Sequence, residues 1–409
     1  MDLLDVGRIV LGLVLLVGGG ELLVRGASAL AVRSGLTPLV VGLTVVSVAT
    51  STPELAVSTG AALRGETDLA LGNVVGSNIA NVLLILGVSA LILPLTARRR
   101  IVRIDVPVML GLGVLALVLS LDGRIGLADG VVLLAVFLVH LLASVWIARR
   151  DPDEDPAPDE DPAPDEDPAP DEDPAPDEDP PTKDAEQRPG EAHPGTAGPD
   201  DPPSDEEAGG VLPGWAAVLL VLGGVVLLVV GAGLLVSGAT SVATALGVSG
   251  LVVGLTVVAV GTSLPELAAS AIAALRGERD LALGNVVGSC IANLGLVLGL
   301  PALLAGGLEV PPAVLALDLP VMLATSLALL PVSFTGFVVA RWEGGLFMVL
   351  YAAYVGYVVL QATSHDALSG FTTVMTLFVL PFVLVMLATT VAYELGRIAE
   401  RRERAASPG

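Results

Sequence analysis

The sequence contains one cysteine, three histidines and 3% aromatic residues, and these shortages restrict the kinds of site it can form. A single thiol, Cys290, excludes an intrachain disulfide bond. His140 and His365 lie near the ends of apolar segments, so no cluster of nitrogen and sulfur ligands is expected for a soft transition metal. A metal site in this chain would therefore use oxygen ligands.

Acidic residues are concentrated in one segment, so the net charge of -23 does not describe the whole chain. Residues 151–207 contain 24 of the 43 acidic residues and two basic ones, which leaves 19 acidic and 18 basic residues elsewhere. Between Asp153 and Pro180 the segment repeats DEDPAP, and prolines with like charges favour an extended, disordered chain. We expect residues 151–210 to form a solvated linker. A calcium sensor is the alternative, although ordered calcium sites use spaced ligands and a tight turn.

Long apolar runs dominate the rest of the sequence, which has 53% hydrophobic residues and a mean hydropathy of +0.80. A helix needs about 20 apolar residues to cross a bilayer. The runs predict an all-α polytopic membrane protein, surrounded by the lipid bilayer and without a nucleic-acid partner. Eleven spans are predicted, near residues 6–32, 36–62, 69–94, 103–121, 127–148, 213–244, 248–274, 281–306, 313–333, 338–361 and 370–393.

A long internal repeat organises these spans. The segment 42–87 recurs without a gap as 254–299, 212 positions later, and DVPVML at 105–110 recurs as DLPVML at 318–323. The repeat covers five spans in each half, and because five is odd, the second half enters the membrane from the opposite side. We therefore predict two inverted five-helix repeats, at 1–150 and 211–362, followed by an extra helix and a basic tail at 363–409.

Arginine positions predict which side of the membrane each loop faces, because cytoplasmic loops are enriched in Lys and Arg. One set of alternate loops carries fourteen arginines, and the other carries three, Arg8, Arg64 and Arg124. This count predicts a protein of the cell membrane with its N-terminus outside and with its linker and C-terminus in the cytoplasm.

Two glutamates inside the repeated segments are the strongest functional signal. Glu54 and Glu266 occupy the same position of the repeat, each directly after a proline, with no basic residue nearby in either segment. A carboxylate at membrane depth is costly unless it is paired, hydrated or bound to a cation. Each proline also frees a backbone carbonyl and bends its helix. Freed carbonyls beside a buried acid suit a hard cation.

Hydroxyl and amide side chains recur around both glutamates and supply further oxygen ligands. Helical spacing places several of them on about the same face as the acids, and such ligands favour calcium, sodium or magnesium. Hydroxyls also help membrane helices to pack, so for Thr44, Ser47 and Ser58 packing explains their presence as well as function does. The candidate ligands are Thr50, Ser51, Ser77, Asn81, Thr262, Ser263, Ser289 and Asn293.

The motifs TSTPEL, TSLPEL and both GNVVGS segments resemble the alpha-repeats of the cation/calcium exchanger superfamily, specifically its prokaryotic sodium/calcium exchanger branch. The resemblance covers all ten paired spans. It implies an antiporter rather than an enzyme, without a cofactor, that exchanges sodium and calcium ions by alternating access as the first and sixth spans slide across the others. It also implies that Glu54, Glu266 and the candidate ligands hold calcium, and that backbone carbonyls at Ser47 and Ala259 add sodium ligands.

Asn293 departs from the family pattern, because several relatives, including potassium-dependent exchangers, have aspartate there. The amide predicts exchange that does not require potassium. A calcium/proton exchanger of the same superfamily is the alternative function, although such exchangers typically carry a further acid in the segment equivalent to GNVVGS. A cation channel would use similar ligands, and an intramembrane hydrolase would need a nucleophile beside a base. Duplicated acids on broken helices fit alternating access better than either.

Overall fold

Apolar helices, some of them broken, follow one another along the chain. The structure is a computed structural model, and it describes residues 3–150, 213–247, 259–334 and 338–381 and a few positions up to 396. These residues belong to one compact unit. The predicted linker, the first part of the seventh predicted span and the end of the eleventh lie outside the described residues.

In the first half, the described residues form six helices and two short strands. The strands are β1 (Leu95–Thr96) and β2 (Arg124–Ile125). The first predicted span is one helix, the second is divided into two, and each of the next three is one helix. The helices are α1 (Leu3–Ser34), α2 (Pro38–Thr50), α3 (Thr52–Leu63), α4 (Thr67–Ile92), α5 (Ile101–Leu119) and α6 (Leu127–Arg150).

The second half repeats this order in the residues that are described. Its strands are β3 (Leu308–Glu309) and β4 (Val338–Val339). π-Helical turns precede α11 at Val314–Asp318 and follow α13 at Met375–Val379. The helices are α7 (Gly214–Ala245), α8 (Ala259–Gly261), α9 (Leu264–Leu275), α10 (Arg279–Leu304), α11 (Leu319–Phe334), α12 (Arg341–Ala362) and α13 (Ala367–Val374).

Helix length and composition agree with a multi-pass membrane protein. Among the described residues, 7 helices are long and apolar enough to cross a membrane, or up to 8 if α2 and α3 are counted together as one bent span. The other three predicted spans correspond to α9, α11 and α13, which are shorter apolar helices. The predicted all-α polytopic fold is confirmed.

The second predicted span is broken where the candidate ligands lie. α2 and α3 meet at an angle of 43°, and Pro53 stands in the first turn of α3. The second half has a corresponding break between α8 and α9, where Pro265 stands in the first turn of α9. Proline lacks a backbone N–H and cannot continue the preceding helix without strain, so the sequence itself causes both breaks.

Two short strand pairs connect loops of the first half to loops of the second. β1 pairs antiparallel with β4, with Leu95 opposite Val339. β2 pairs antiparallel with β3, with Arg124 opposite Glu309. Each pair therefore joins the loop between the third and fourth spans of one repeat to the loop between the fourth and fifth spans of the other.

Helices α1 and α7 pack against each other along a seam of glycines. A Cβ added at Gly19 would lie 2.8 Å from Leu228 N and 2.9 Å from the carbonyl oxygen of Gly224. The contacts run in opposite directions along the two chains, so the helices are antiparallel. Because the glycines lack a side chain, the two backbones lie in direct contact along the seam. The seam repeats every seven residues, with Gly12, Gly19 and Gly26 on α1 and Gly224, Gly231 and Gly238 on α7.

Candidate ion-binding site

The helix breaks place both glutamates in equivalent surroundings. Glu54 lies in the first turn of α3 and Glu266 in the first turn of α9. Their relative exposures are 0% and 1%, so neither carboxylate reaches solvent. The N-terminal end of a helix carries partial positive charge, which favours an ionised carboxylate in its first turn.

Each carboxylate accepts a hydrogen bond from a serine of the opposite half. Ser263 Oγ donates to Glu54 Oε1, and Ser51 Oγ donates to Glu266 Oε1, both at 3.3 Å. Ser263 Oγ also lies 3.2 Å from Ser77 Oγ on α4. The structure thus brings Ser51, Ser77 and Ser263 to the glutamates, as the sequence predicts, and the two halves bind each other through the site.

The second oxygen of each carboxylate has no hydrogen-bond partner among the described residues. Glu54 Oε2 and Glu266 Oε2 are both buried in this state. No salt bridge within the described part of the chain involves either glutamate. Buried polar atoms in folded proteins almost always have a partner, so these two oxygens are the atoms expected to face a cation.

Further buried polar atoms without a partner lie on α4 and α10. They include the amide atoms of Asn81 and Asn293 and the hydroxyl of Ser289, which are predicted ligands, and Asn78 Oδ1 and Ser89 Oγ on α4, which are not. Asn81 begins a π-helical turn at Asn81–Ile85, and Asn293 begins another at Asn293–Val297. Such turns occur frequently at functional sites. The described residues contain four others, at Gly42–Val46, Ile101–Asp105, Val314–Asp318 and Met375–Val379.

The four remaining predicted ligands are less directly involved. Thr50 donates a hydrogen bond to Asn285, and Thr262 donates one to Asn73. In both cases the acceptor is an asparagine of the opposite half rather than a carboxylate. The carbonyl of Ser47 accepts a hydrogen bond from Thr50 Oγ1 at 3.3 Å. Ala259 begins α8, and only its backbone is described. Within the described residues, no group of three or more His, Cys, Asp or Glu side chains is placed to hold a metal ion, so a cation here would need hydroxyl, amide and carbonyl oxygens besides the two acids.

Asn73 and Asn285 belong to this polar network, although they were not among the predicted ligands. Asn73 Oδ1 accepts a hydrogen bond from Thr262 Oγ1 at 3.2 Å, and Asn285 Oδ1 accepts one from Thr50 Oγ1 at 3.3 Å. The signal that identifies the glutamates also marks these asparagines, because both are polar residues kept at a spacing of 212 inside apolar helices.

Comparison with known protein families matches residues 4–146 and 216–360 to the sodium/calcium exchanger proteins. This chain belongs to the sodium/calcium exchanger family. The matched regions include both repeats and leave out the predicted linker and the extra C-terminal helix. Members of the family are secondary transporters that exchange cations such as calcium, so the chain is an exchanger and not an enzyme, and its resemblance to this family is confirmed.

Similar proteins include a relative named as a sodium/calcium exchanger, an inner membrane protein and a solved exchanger structure. The chain is 33% identical over 351 residues to the sodium/calcium exchanger MaX1 of Methanosarcina acetivorans, covering 85% of this chain and 96% of MaX1. It is 35% identical over 327 residues to the inner membrane protein YrbG of Escherichia coli, covering 80% and 87%. A structure of the sodium-calcium exchanger NCX_Mj matches with a TM-score of 0.66 at 29% identity, covering 88% of this chain and 100% of that one.

Proposed function

We propose that this exchanger moves sodium in one direction and calcium in the other by alternating access, with calcium held between Glu54 and Glu266. The observation that carries the proposal is the reciprocal pair of hydrogen bonds from Ser51 and Ser263. Each serine engages one carboxylate oxygen from the opposite half and leaves the other oxygen, Oε2, without a partner among the described residues.

Charge explains why calcium suits this pair. Two ionised carboxylates neutralise one divalent ion, and neither has a basic partner within the described residues. Calcium accepts six to eight oxygen ligands in flexible geometry, which hydroxyls, amides and carbonyls satisfy. The proposed ligands are Thr50, Ser51, Glu54, Ser77, Asn81, Thr262, Ser263, Glu266, Ser289 and Asn293, with the carbonyls of Ser47 and Ala259 for sodium.

Alternating access requires one part of the protein to move against another while the site stays in place. The close glycine seam between α1 and α7 fits a pair of helices that moves as one body. The glutamates lie on α3 and α9, outside this pair. We therefore assign α1 and α7 as the moving pair and the helices that carry the glutamates as the fixed part.

The proposed sidedness follows from the arginine count and is supported by the strand pairs. β1 and β4 lie in loops that the count assigns to the cytoplasm, and β2 and β3 lie in loops that it assigns to the outside. Arg98 and Asp280, also assigned to the cytoplasmic side, form an ion pair at 2.6 Å. The N-terminus is accordingly outside, and the linker at 151–210 and the tail are cytoplasmic.

Sodium is the proposed counter-ion, because MaX1 and NCX_Mj are both named as exchangers of sodium and calcium. Coupling to protons is the alternative, since buried carboxylates whose partners are hydroxyls also accept protons. The test is calcium uptake into proteoliposomes driven by either an outward sodium gradient or an outward proton gradient at equal membrane potential. Uptake that follows the sodium gradient supports the proposal, and uptake that follows only the proton gradient supports the alternative.

A further inference from the structure

We propose that Asn73 and Asn285 are positioning residues for cation binding. Each accepts a hydrogen bond from the hydroxyl of one threonine in the opposite half. The lone pairs of that hydroxyl then remain available to the cation. The inference rests on the proposed function, because it concerns how the ligands of that calcium site are oriented.

The orientation of the Asn73 amide follows from its partners. Asn73 Nδ2 donates to the backbone carbonyl of Glu54 at 3.2 Å and to Ser58 Oγ at 2.9 Å. A backbone carbonyl only accepts hydrogen bonds, so the amide nitrogen must face it. The amide oxygen then lies on the other side, 3.2 Å from Thr262 Oγ1. Because an amide oxygen also only accepts, Thr262 must be the donor.

The second half contains the same arrangement at the repeat-related positions. Asn285 Nδ2 lies 3.4 Å from the backbone carbonyl of Glu266 and 2.9 Å from Ser270 Oγ. Asn285 Oδ1 accepts from Thr50 Oγ1 at 3.3 Å. Thr50 Oγ1 has the carbonyl of Ser47 as a second acceptor at 3.3 Å, so its proton is again directed toward an acceptor of the protein. The duplicated sequence thus gives each of the two threonines an asparagine acceptor in the opposite half.

Asn73 determines which acceptor receives the hydrogen bond from the Thr262 hydroxyl. A threonine hydroxyl has one proton and two lone pairs. Thr262 directly precedes Ser263, whose hydroxyl donates to Glu54 Oε1 at 3.3 Å, and Thr50 directly precedes Ser51, whose hydroxyl donates to Glu266 Oε1 at 3.3 Å. Without Asn73, the Thr262 hydroxyl would donate to the Glu54 carboxylate and occupy a lone pair needed by calcium. With Asn73 as acceptor, both the carboxylate and the hydroxyl present oxygen lone pairs to the ion.

Asn78 provides a matched control on the same helix. Like Asn73 it lies on α4, and it is buried. Its amide nitrogen donates to the carbonyl of Val74 at 2.8 Å, within its own helix. Asn78→Ala therefore removes the same chemical group from α4 without removing an acceptor for Thr262.

The test is a double-mutant cycle on the purified full-length protein, with the calcium dissociation constant measured by equilibrium binding of radioactive calcium. We expect Asn73→Ala to weaken calcium binding about tenfold, which is the effect of losing one orienting hydrogen bond at a charged site. In a Thr262→Val background, which lacks the hydroxyl, Asn73→Ala should weaken binding by a clearly smaller factor than in the wild type, because only the bonds from Nδ2 to Glu54 and Ser58 are then lost. Asn78→Ala should bind within about twofold of the wild type, and Thr262→Ser, which keeps the hydroxyl, should bind calcium more tightly than Thr262→Val. The maximal exchange rate of Asn73→Ala at saturating calcium should change less than its affinity.

Two results would overturn the inference. One is an unchanged calcium affinity in Asn73→Ala, and the other is an equal loss of affinity in the wild-type and Thr262→Val backgrounds, which would show that Asn73 acts on the fold. If Asn73→Ala does not fold, judged by size-exclusion chromatography and thermal melting, Asn285→Ala with Thr50→Val provides a second cycle with the same criteria. Glu54→Gln separates this failure from failure of the proposed function, because normal calcium binding in Glu54→Gln would place the site elsewhere.

Discussion

Ser51 Oγ donates a hydrogen bond to Glu266 Oε1 across 3.3 Å, although the two residues are 215 positions apart in the chain. The bond joins the break between α2 and α3 to the first turn of α9. The reverse bond, from Ser263 to Glu54, has the same length. Because the two bonds are reciprocal, both halves contribute to one polar cluster and neither half forms it alone.

The two serines should be equivalent when they are removed. We expect Ser51→Ala and Ser263→Ala each to weaken calcium binding by at least about tenfold, since a hydrogen bond to a charged group contributes about 1.5–3 kcal/mol. The measurement is calcium binding to the purified variants. Ser120→Ala is the control, because Ser120 is a buried serine whose hydroxyl donates to Ala116 O at the end of α5. A large loss from one site serine and none from the other would contradict a shared site.

The glycine seam should tolerate no added side chain where backbones touch. A Cβ at Gly19 would lie 2.8 Å from Leu228 N, so Gly19→Ala should force α1 and α7 apart and destabilise the protein by about 1–3 kcal/mol. Thermal melting in detergent and the exchange rate in proteoliposomes measure the effect. Gly18→Ala is the adjacent control, because nothing lies within 4 Å of the Cβ it adds. Equal behaviour of the two variants would show that the close packing of α1 on α7 is unimportant.

Most of the helices could be predicted from sequence, because membrane spans are set by local apolar length. The predicted span 69–94 corresponds to α4 at Thr67–Ile92, and the predicted bend near Pro53 is a 43° break. The repeat also predicted the inverted architecture, since it requires only an odd number of spans in each half. These features depend on residues that are near one another in the chain.

The site was predicted less completely, because its contacts join distant residues. The glutamates stand out through the cost of a buried charge, but the pairing of Ser51 with Glu266 depends on how the two halves pack. Asn73 and Asn285 carry no charge, and an amide in an apolar helix is equally compatible with helix packing. The π-helical turns at Asn81 and Asn293 have no proline or other local signal that predicts them.

Asn293 should make exchange independent of potassium. An amide at this position leaves two acidic side chains in the proposed site, which suffice to neutralise one calcium ion. We expect sodium-loaded proteoliposomes to take up calcium at an unchanged rate when choline replaces potassium on both sides. Asn293→Asp adds a third acid beside the other two and should alter the dependence on cations or pH, because like charges in close proximity disfavour joint ionisation. Uptake that stops without potassium and returns when potassium is restored would show that this interpretation of Asn293 is wrong.

The acidic linker should not take part in transport. Its repeated DEDPAP composition predicts an extended chain that only connects the two halves. Replacement of Asp153–Pro180 by a neutral flexible sequence of similar reach should leave the maximal exchange rate within about twofold of the wild type. A large change in the calcium dependence of the rate, rather than in its maximum, would instead support a calcium sensor in this segment.

The central claim is that Glu54 and Glu266 hold the same calcium ion. Binding of radioactive calcium to the purified full-length protein tests it most directly, with wild type, Glu54→Gln, Glu266→Gln and the double variant compared at equal protein concentration. Glutamine keeps the size of the side chain and removes its charge, so each single variant should lose calcium binding in the micromolar to millimolar range while its melting profile and size-exclusion profile stay those of a folded protein. The double variant should be no worse than either single variant. Calcium binding close to that of the wild type in either folded single variant would contradict the account.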